Sequence, residues 1–331
     1  MANETKYGII SDIHKDPRIV QTAINILKNL GADKLVLNGD IGERQRTLQA
    51  SQDYVAVILE VAGKSGFETY VQPGSHETVS VFHPVLDHFK NKYSNLISAF
   101  EVPKVENNDH HLVFLPGSDF VCGGEYMIGN NEEIPSGLYI PTVQGIMPYS
   151  SEMHKALIAK SEFNGLVQYS NMNDLKKLVN DGEKTIVFCH VPRKFDSIEN
   201  AVDVAYFAET MNQSVIPGIV IENKIKAQYG NVSKDEIRLI AAANGLTIKE
   251  ENRGNDDLRE LYAELGIKKA VSGHFHESGH RAHDGAVNPV KQGTPVDELY
   301  WNSGQLDLGQ TGILTAGDGK ISYQNIDLRK S

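Results

Sequence analysis

Asp12, His14, Asp40, His76, His190, His274 and His276 are the side chains of this sequence most able to do chemistry together, because each group of them follows a short apolar run. Tyr7 to Ile10 precedes Asp12-Ile13-His14, Lys34 to Leu37 precedes Gly39-Asp40, and Phe67 to Val71 precedes Gly74-Ser75-His76-Glu77. Further on, Thr185 to Cys189 precedes His190, and Lys269 to Val271 precedes Gly273-His274-Phe275-His276. In open α/β sheets the carboxyl ends of parallel strands line one edge, where ligands bind, so side chains spread over the whole sequence can converge there. Mixed imidazole and carboxylate donors suit a borderline divalent cation such as Zn, Mn, Fe, Co or Ni better than Ca. Asp40, alone on its turn, is placed to bridge two such ions.

The weight of each piece differs. With 20 Asp and 12 His in 331 residues, chance alone produces D-x-H about 0.7 times, so that motif carries little information. G-H-x-H arises by chance only about 0.04 times, which makes Gly273 to His276 a real signal. The ordered set is stronger than any member. It resembles the calcineurin-like metallophosphoesterase superfamily, whose pattern runs D-x-H, G-D, G-N-H-D/E, H, G-H-x-H. The matching residues here run in order from Asp12 to His276, and the stretch Asn302-Ser303-Gly304 also resembles that family's C-terminal half.

The resemblance implies a two-sheet α/β sandwich flanked by helices, with two divalent metal ions at one edge. By that correspondence Asp12, His14, Asp40 and His276 hold one ion, and Asp40, His190 and His274 hold the other. Ser75 departs from the pattern, since the family places an asparagine there as a ligand of the second ion. A serine hydroxyl is a shorter neutral donor, so the second ion is looser, shifted or completed by water. Two cations 3.5–4 Å apart, roughly, activate a hydroxide and offset charge on both oxygens of an in-line displacement at phosphorus. His76 then protonates the leaving oxygen, a task suited to an imidazole near neutral pH. Gly39-Asp40-Ile41-Gly42-Glu43-Arg44 also resembles the G-D-x-x-D/E-R stretch of the protein phosphatase branch, and Arg44 there would grip phosphate oxygens bidentately. The closing G-H-x-H belongs to the phosphodiesterase and nuclease branches.

These side chains need elements to carry them. After the first apolar run, Asp16-Pro17 offers a helix start, and Val20, Ala23, Ile24, Leu27 and Leu30 repeat at helical spacing until Gly31. A second helix spans about Thr47 to Ala62, and the resulting β-α-β-α-β pattern predicts a parallel sheet covered by helices. From Leu299 to Leu328 short strands and turns predict antiparallel pairing. Residues 195–266 interrupt the sheet with helical periodicity, including a capping box of Ser233 with Glu236, and are expected to form a helical insertion within a single domain of residues 1–331. Gly123 to Ser150, rich in Gly, Pro and Asn, reads as a long surface excursion. The remaining histidines (His83, His88, His110, His111, His154, His280 and His283) are expected to pack or face solvent.

Composition narrows the partners. Asp and Glu number 43 against 32 Lys and Arg, a net charge of −11, so no diffuse positive field gathers nucleic acid or anionic lipid. Two cysteines, Cys122 and Cys189, are too few for a disulfide framework and fit a reducing cytoplasm. No apolar run approaches a membrane span. The reading is a cytoplasmic, metal-dependent hydrolase of a phosphodiester or phosphomonoester, with a nuclease of the same superfamily or a non-catalytic interaction scaffold as alternatives. Nothing in the sequence sets the oligomeric state.

Overall fold

Alternation of strand and helix builds the first sheet. The computed structural model describes residues 4–117, 137–143, 145–163, 165, 167–169, 174–211 and 214–330. In chain order come β1 (Thr5–Ile10), α1 (Ile19–Asn29), β2 (Lys34–Asn38), α2 (Leu48–Ser65), β3 (Glu68–Gln72), α3 (Val79–Lys92) and β4 (Leu96–Ser98). Strands β1 to β4 are parallel neighbours, as the helical crossovers between them require.

Next follow β5 (Lys104–Glu106), β6 (His111–Leu115), β7 (Gly137–Thr142), β8 (Gly145–Pro148), α4 (Ser151–Ala159), β9 (Val167–Tyr169), α5 (Leu175–Leu178) and β10 (Thr185–Cys189). An excursion holds β11 (Val204–Thr210), β12 (Val215–Pro217), α6 (Gly218–Tyr229), α7 (Lys234–Ala243), β13 (Leu246–Asn252) and α8 (Asp256–Leu265). The chain returns through β14 (Lys269–Ser272), β15 (Ala282–His283), β16 (Leu299–Asn302), β17 (Gln310–Gly317) and β18 (Lys320–Asp327).

Two six-stranded sheets result, ordered β18-β17-β1-β2-β3-β4 and β15-β16-β14-β10-β6-β5. Period-two alternation sends one face of each sheet into a shared core of Tyr7, Ile9, Val36 and Tyr70 against Phe114, Phe188, Val271 and Trp301. Tyr70, Phe114 and Phe188 stack in series at centroid separations of 5.1 and 5.4 Å, each pair adding about 0.5–1.5 kcal/mol beyond area burial. The outer face of the first sheet packs on α1, α2 and α3, and that of the second on α5 and α8. This is the two-sheet sandwich flanked by helices that the family resemblance implied.

Local chemistry sets the helix ends. The Thr47 hydroxyl accepts the Ala50 N–H and Gly66 closes α2 in the left-handed region at φ 77°. Helix α3 was not foreseen, because Pro84 lies inside it. A proline cannot donate to the carbonyl four residues back; that carbonyl, of Ser80, instead accepts the Gln52 amide at 2.9 Å. Helix α1 starts two residues after the expected Pro17, at Ile19, while the Asp16 carboxylate accepts the Arg18 N–H.

The segment 195–266 needs a larger correction. It is helical only in part, for β11 pairs antiparallel with both β12 and β13 in a three-stranded sheet. The strand β13, Leu246–Asn252, carries Lys249, Glu250 and Glu251 on a largely solvated ladder, so it lacks the apolar run that marks a buried strand. Ala208, Ile221, Ile225, Ile237 and Ala241 give the segment its own small core, and the expected capping box at Ser233 and Glu236 is present. Of the excursion expected over residues 123–150, β7 and β8 form an antiparallel pair, and residues 118–136, with Cys122, lie outside the described residues.

Candidate metal centre

Three backbone positions at strand ends take the left-handed conformation that non-glycine residues seldom adopt: Asp12 (φ 57°), Asp40 (φ 48°) and His274 (φ 65°). Such conformations persist where the surroundings over-determine them, which they do at functional sites. Here the Ile13 N–H donates to the Asp40 carbonyl at 2.7 Å, tying the ends of β1 and β2 together. The His274 N–H donates to Asp12 Oδ1 at 3.1 Å, tying in the turn after β14.

These ties bring the scattered side chains to one rim where the two sheets meet. His276 Nε2 lies 3.1 Å from Asp12 Oδ1 and 3.3 Å from His14 Nε2. His14 Nε2 is 3.9 Å from a carboxylate oxygen of both Asp12 and Asp40. His190 Nε2 is 3.0 Å from Asp40 Oδ2. Potential donor atoms group as Asp12, His14 and His276; as His14, Asp40 and His76; and as Asp40, His190 and His274, all within 4.8 Å of one another in each group. Every residue expected from the sequence is therefore at this rim except Arg44, which lines a cleft next to it. Asp40 belongs to two of the groups.

Asp12 and Asp40 are each 1% exposed. Burial opposes their charge, yet His190 and the other imidazoles hold both carboxyls well below the usual range. The histidines answer in kind. Burial disfavours their charge, but the carboxylates push His14 up to about 11 and His190 up to about 9. His76 is also raised, with Asp40 and Glu43 outweighing burial. Two buried carboxylates thus demand compensating positive charge, the electrostatic condition a divalent cation meets.

The donor chemistry fits such ions. The His190 Nδ1–H donates to the Asn38 carbonyl at 2.9 Å, the second contact that commonly orients a ligating imidazole. Its Nε2, fully buried, makes no hydrogen bond among the described residues although Asp40 Oδ2 lies 3.0 Å away. A buried nitrogen that makes no hydrogen bond and sits beside two carboxylates is placed to give its lone pair to a cation.

Supporting groups add precision. Glu43 Oε2 lies 3.1 Å from the Nδ1 atoms of both His14 and His76, and these two protonated partners draw its carboxyl down to about 2 against the pull of burial. Glu77 accepts the backbone N–H groups of Ile41, Gly42 and Gly74, so one carboxylate clamps the turns after β2 and β3. Burial and the nearby Asp40 raise Glu77 to about 7. Asn302 donates to the carbonyls of Gly273 and Phe275 at 3.0 and 3.1 Å, shaping the G-H-x-H turn. Sequence reasoning assigned no role to Glu43 or Glu77, each of which entered only as a motif letter. Their partners are a backbone turn and two histidines far away in sequence, which spacing alone does not reveal.

Ser75 sits at the departure from the family pattern. Its hydroxyl lies 3.0 Å from Asp40 Oδ2 and 3.4 Å from His274 Nδ1, so it faces the Asp40, His190 and His274 group. Two motif glycines are dictated by crowding. Gly39 has φ 85°, and a Cβ there would come within 2.7 Å of the His190 ring; a Cβ on Gly74 would strike Asp40 and His190.

The family model described as calcineurin-like phosphoesterase matches residues 5–278. Among solved structures, one is similar with a TM-score of 0.51 at 10% identity, covering 98% of this chain and 100% of the other. A protein of Thermus thermophilus gives 0.49 at 10% identity, over 98% and 99% of the two chains. A dimetal phosphatase from Danio rerio gives 0.47 at 12% identity over the same shares. The first of these is a likeness of fold. No curated protein matches the sequence.

Proposed function

From the chain's membership in the calcineurin-like phosphoesterase family, we propose that it hydrolyses a phosphate ester at the rim where Asp12, Asp40 and the five histidines beside them meet. The observation that carries this reading is the pair of buried carboxylates ringed by imidazole nitrogens, one of which, His190 Nε2, is buried without a hydrogen bond among the described residues. Asp12, His14, Asp40 and His276 would hold one divalent ion, and Asp40, His190 and His274, with Ser75 beside them, the second. Mn, Fe, Zn, Ni and Co all suit that donor set. Bound there, two such cations would lower the pKa of a water and offset negative charge on the phosphoryl oxygens.

The chain's own groups supply the rest. His76 is the proton donor to the leaving oxygen: Glu43 holds its Nδ1, leaving Nε2 to the substrate, and the carboxylates nearby keep the ring protonated. Glu43, through His14 on its other side, couples the donor's position to that of a metal ligand. Arg44, in the adjoining cleft, meets phosphate oxygens as they enter. Both phosphodiesters and phosphomonoesters fit this chemistry, and the net charge of −11 favours a small ester over a long nucleic acid. No helix among the described residues is long and apolar enough to cross a membrane. A cytoplasmic setting belongs to the same reading, supported by a cysteine count too low for a disulfide framework.

The test is metal analysis with turnover of a chromogenic mono-ester and bis-ester in added Mn, Zn, Ni, Co and Fe. Hydrolysis that disappears in Asp40→Asn and His190→Ala supports the reading, and the faster ester sets the class. Metal binding without turnover of either ester under any metal would replace it with the interaction scaffold. Strongly salt-sensitive cleavage of oligonucleotides in preference to both esters would replace it with the nuclease.

A further inference from the structure

Beside His76 the surface folds inward into a cleft of about 130 Å³. Its walls carry Arg44 and Arg46 from the loop between β2 and α2, and Lys155 from α4. All three are exposed, and none makes an ion pair with a described acidic residue. Acids outnumber bases in the chain by 43 to 32, and about half of the basic side chains pair with a carboxylate among the described residues. Lys34 pairs with Glu68, Lys92 with Glu60, Lys194 with Asp256 and Arg259 with Asp196. Of the two acids at the cleft, Glu43 is engaged by His14 and His76, which leaves Glu152 alone against three cations.

The backbone adds to the same field. The N-terminal ends of three helices border the cleft: α2 at Thr47 and Leu48, α3 at Thr78 and Ser80, and α4 at Ser151 and Glu152. A helix N-terminus carries partial positive charge and N–H groups directed outward, both favourable to an anion. Three dipole ends and three side-chain cations therefore converge on one concavity, among threonine and serine hydroxyls that can donate to oxygens. Guanidinium groups in particular match the geometry of a phosphate.

Position gives the cleft its meaning. His76 and Glu43 belong both to the rim of carboxylates and imidazoles and to the wall of the cleft. If His76 protonates the leaving oxygen, the cleft receives whatever that oxygen is attached to. We propose that the cleft is a subsite for a second phosphoryl group on the leaving-group side, so that the substrate is a small ester bearing two phosphates. This inference rests on the hydrolase reading for the order of the parts, and on the cleft alone for the affinity.

A matched series separates the two. Phenyl phosphate, para-carboxyphenyl phosphate and para-phenylene bisphosphate, or their methyl diesters if only diesters turn over, differ solely in the group offered to the cleft. The wild-type protein should favour the bisphosphate over the phenyl ester in kcat/KM by about tenfold or more, chiefly through KM. In Arg46→Ala/Lys155→Ala that preference should fall to within about twofold. In parallel, calorimetric titration of chelator-treated full-length protein with inorganic pyrophosphate should show binding that weakens about tenfold in the double variant. Turnover without preference for the bisphosphate overturns the subsite and leaves the hydrolase standing. An equal preference for the carboxylate analogue overturns its assignment to phosphate. Absence of turnover together with pyrophosphate binding that depends on Arg46 and Lys155 sinks the hydrolase reading and supports the anion cleft.

Discussion

His283 should make the protein acid-labile in a way that one substitution removes. The residue is fully buried at the root of the excursion, against the rings of Phe195 and Tyr300. Its Nδ1–H donates to the Asp284 carbonyl at 2.6 Å, and its Nε2 accepts the Val202 N–H at 3.2 Å. Both ring nitrogens are thereby committed to the neutral tautomer, and a second proton would point at an N–H. Burial, with the Arg193 guanidinium adding to it, lowers the imidazole to about 4. In the unfolded chain the same ring titrates near 6.5, roughly. Above that value both states are neutral and pH has no effect through this group. As the pH falls below it, the unfolded chain takes up a proton that the fold refuses. Stability drops until the pH passes about 4, where the loss levels off near 3 kcal/mol; at pH 4.5 it is about 2.5 kcal/mol. His283→Gln keeps an acceptor for Val202 and cannot charge. Urea unfolding at pH 7.5 and 4.5, with chelator present so that the metal-site histidines are alike in both proteins, reads the difference. The wild type should lose about 2.5 kcal/mol more than the variant over that interval. Equal losses would refute the reasoning, as would a variant more acid-sensitive than its parent.

Three further outcomes concern the metal site. Ser75→Asn should tighten the weaker ion about tenfold, because the hydroxyl faces Asp40 and His274 and an amide oxygen would extend toward the same point; an unchanged metal titration removes Ser75 from the site. Gly74→Ala should cost metal affinity of both ions even though the backbone there tolerates alanine, since its Cβ would displace Asp40 and His190, and full metal retention would contradict the packing described. Divalent metal should raise the thermal midpoint, and chelator lower it, because ions that bind only the fold stabilise it by mass action; the rise should vanish in Asp12→Asn/Asp40→Asn, the two carboxylates being 1% exposed.

Much of the site was legible because its residues sit at strand ends, where apolar runs stop and a reader knows which edge they reach. Asp12 to His14, Gly39-Asp40, His190 and Gly273 to His276 all follow strands whose runs are unbroken. What escaped notice acts through partners far away in the sequence. Glu43 matters because His14 and His76 flank it in space, and α3 hid behind Pro84, whose missing donor is replaced by Gln52 from another helix. The sheet within residues 195–266 was read as helix because β13 spends its residues on charge. The basic cleft joins Arg44 and Arg46 to Lys155, more than a hundred positions further on, and in a strongly acidic composition no count of charges would reveal it.

The seating of β1 between β2 and β17 has a consequence for biosynthesis. Its register partners are Lys34 to Leu37 on one side but Gly312 to Ala316 on the other. At a ribosomal pace of roughly 5–20 residues per second, the first edge is covered within seconds and the second only after something like 15–60 s. Through that interval a nascent chain displays an open strand, a template for unwanted pairing, while His190 follows Asp12 and Asp40 only midway and His274 and His276 only near its end. The rim proposed to hold ions is thus complete only once His276 has been made, late in synthesis.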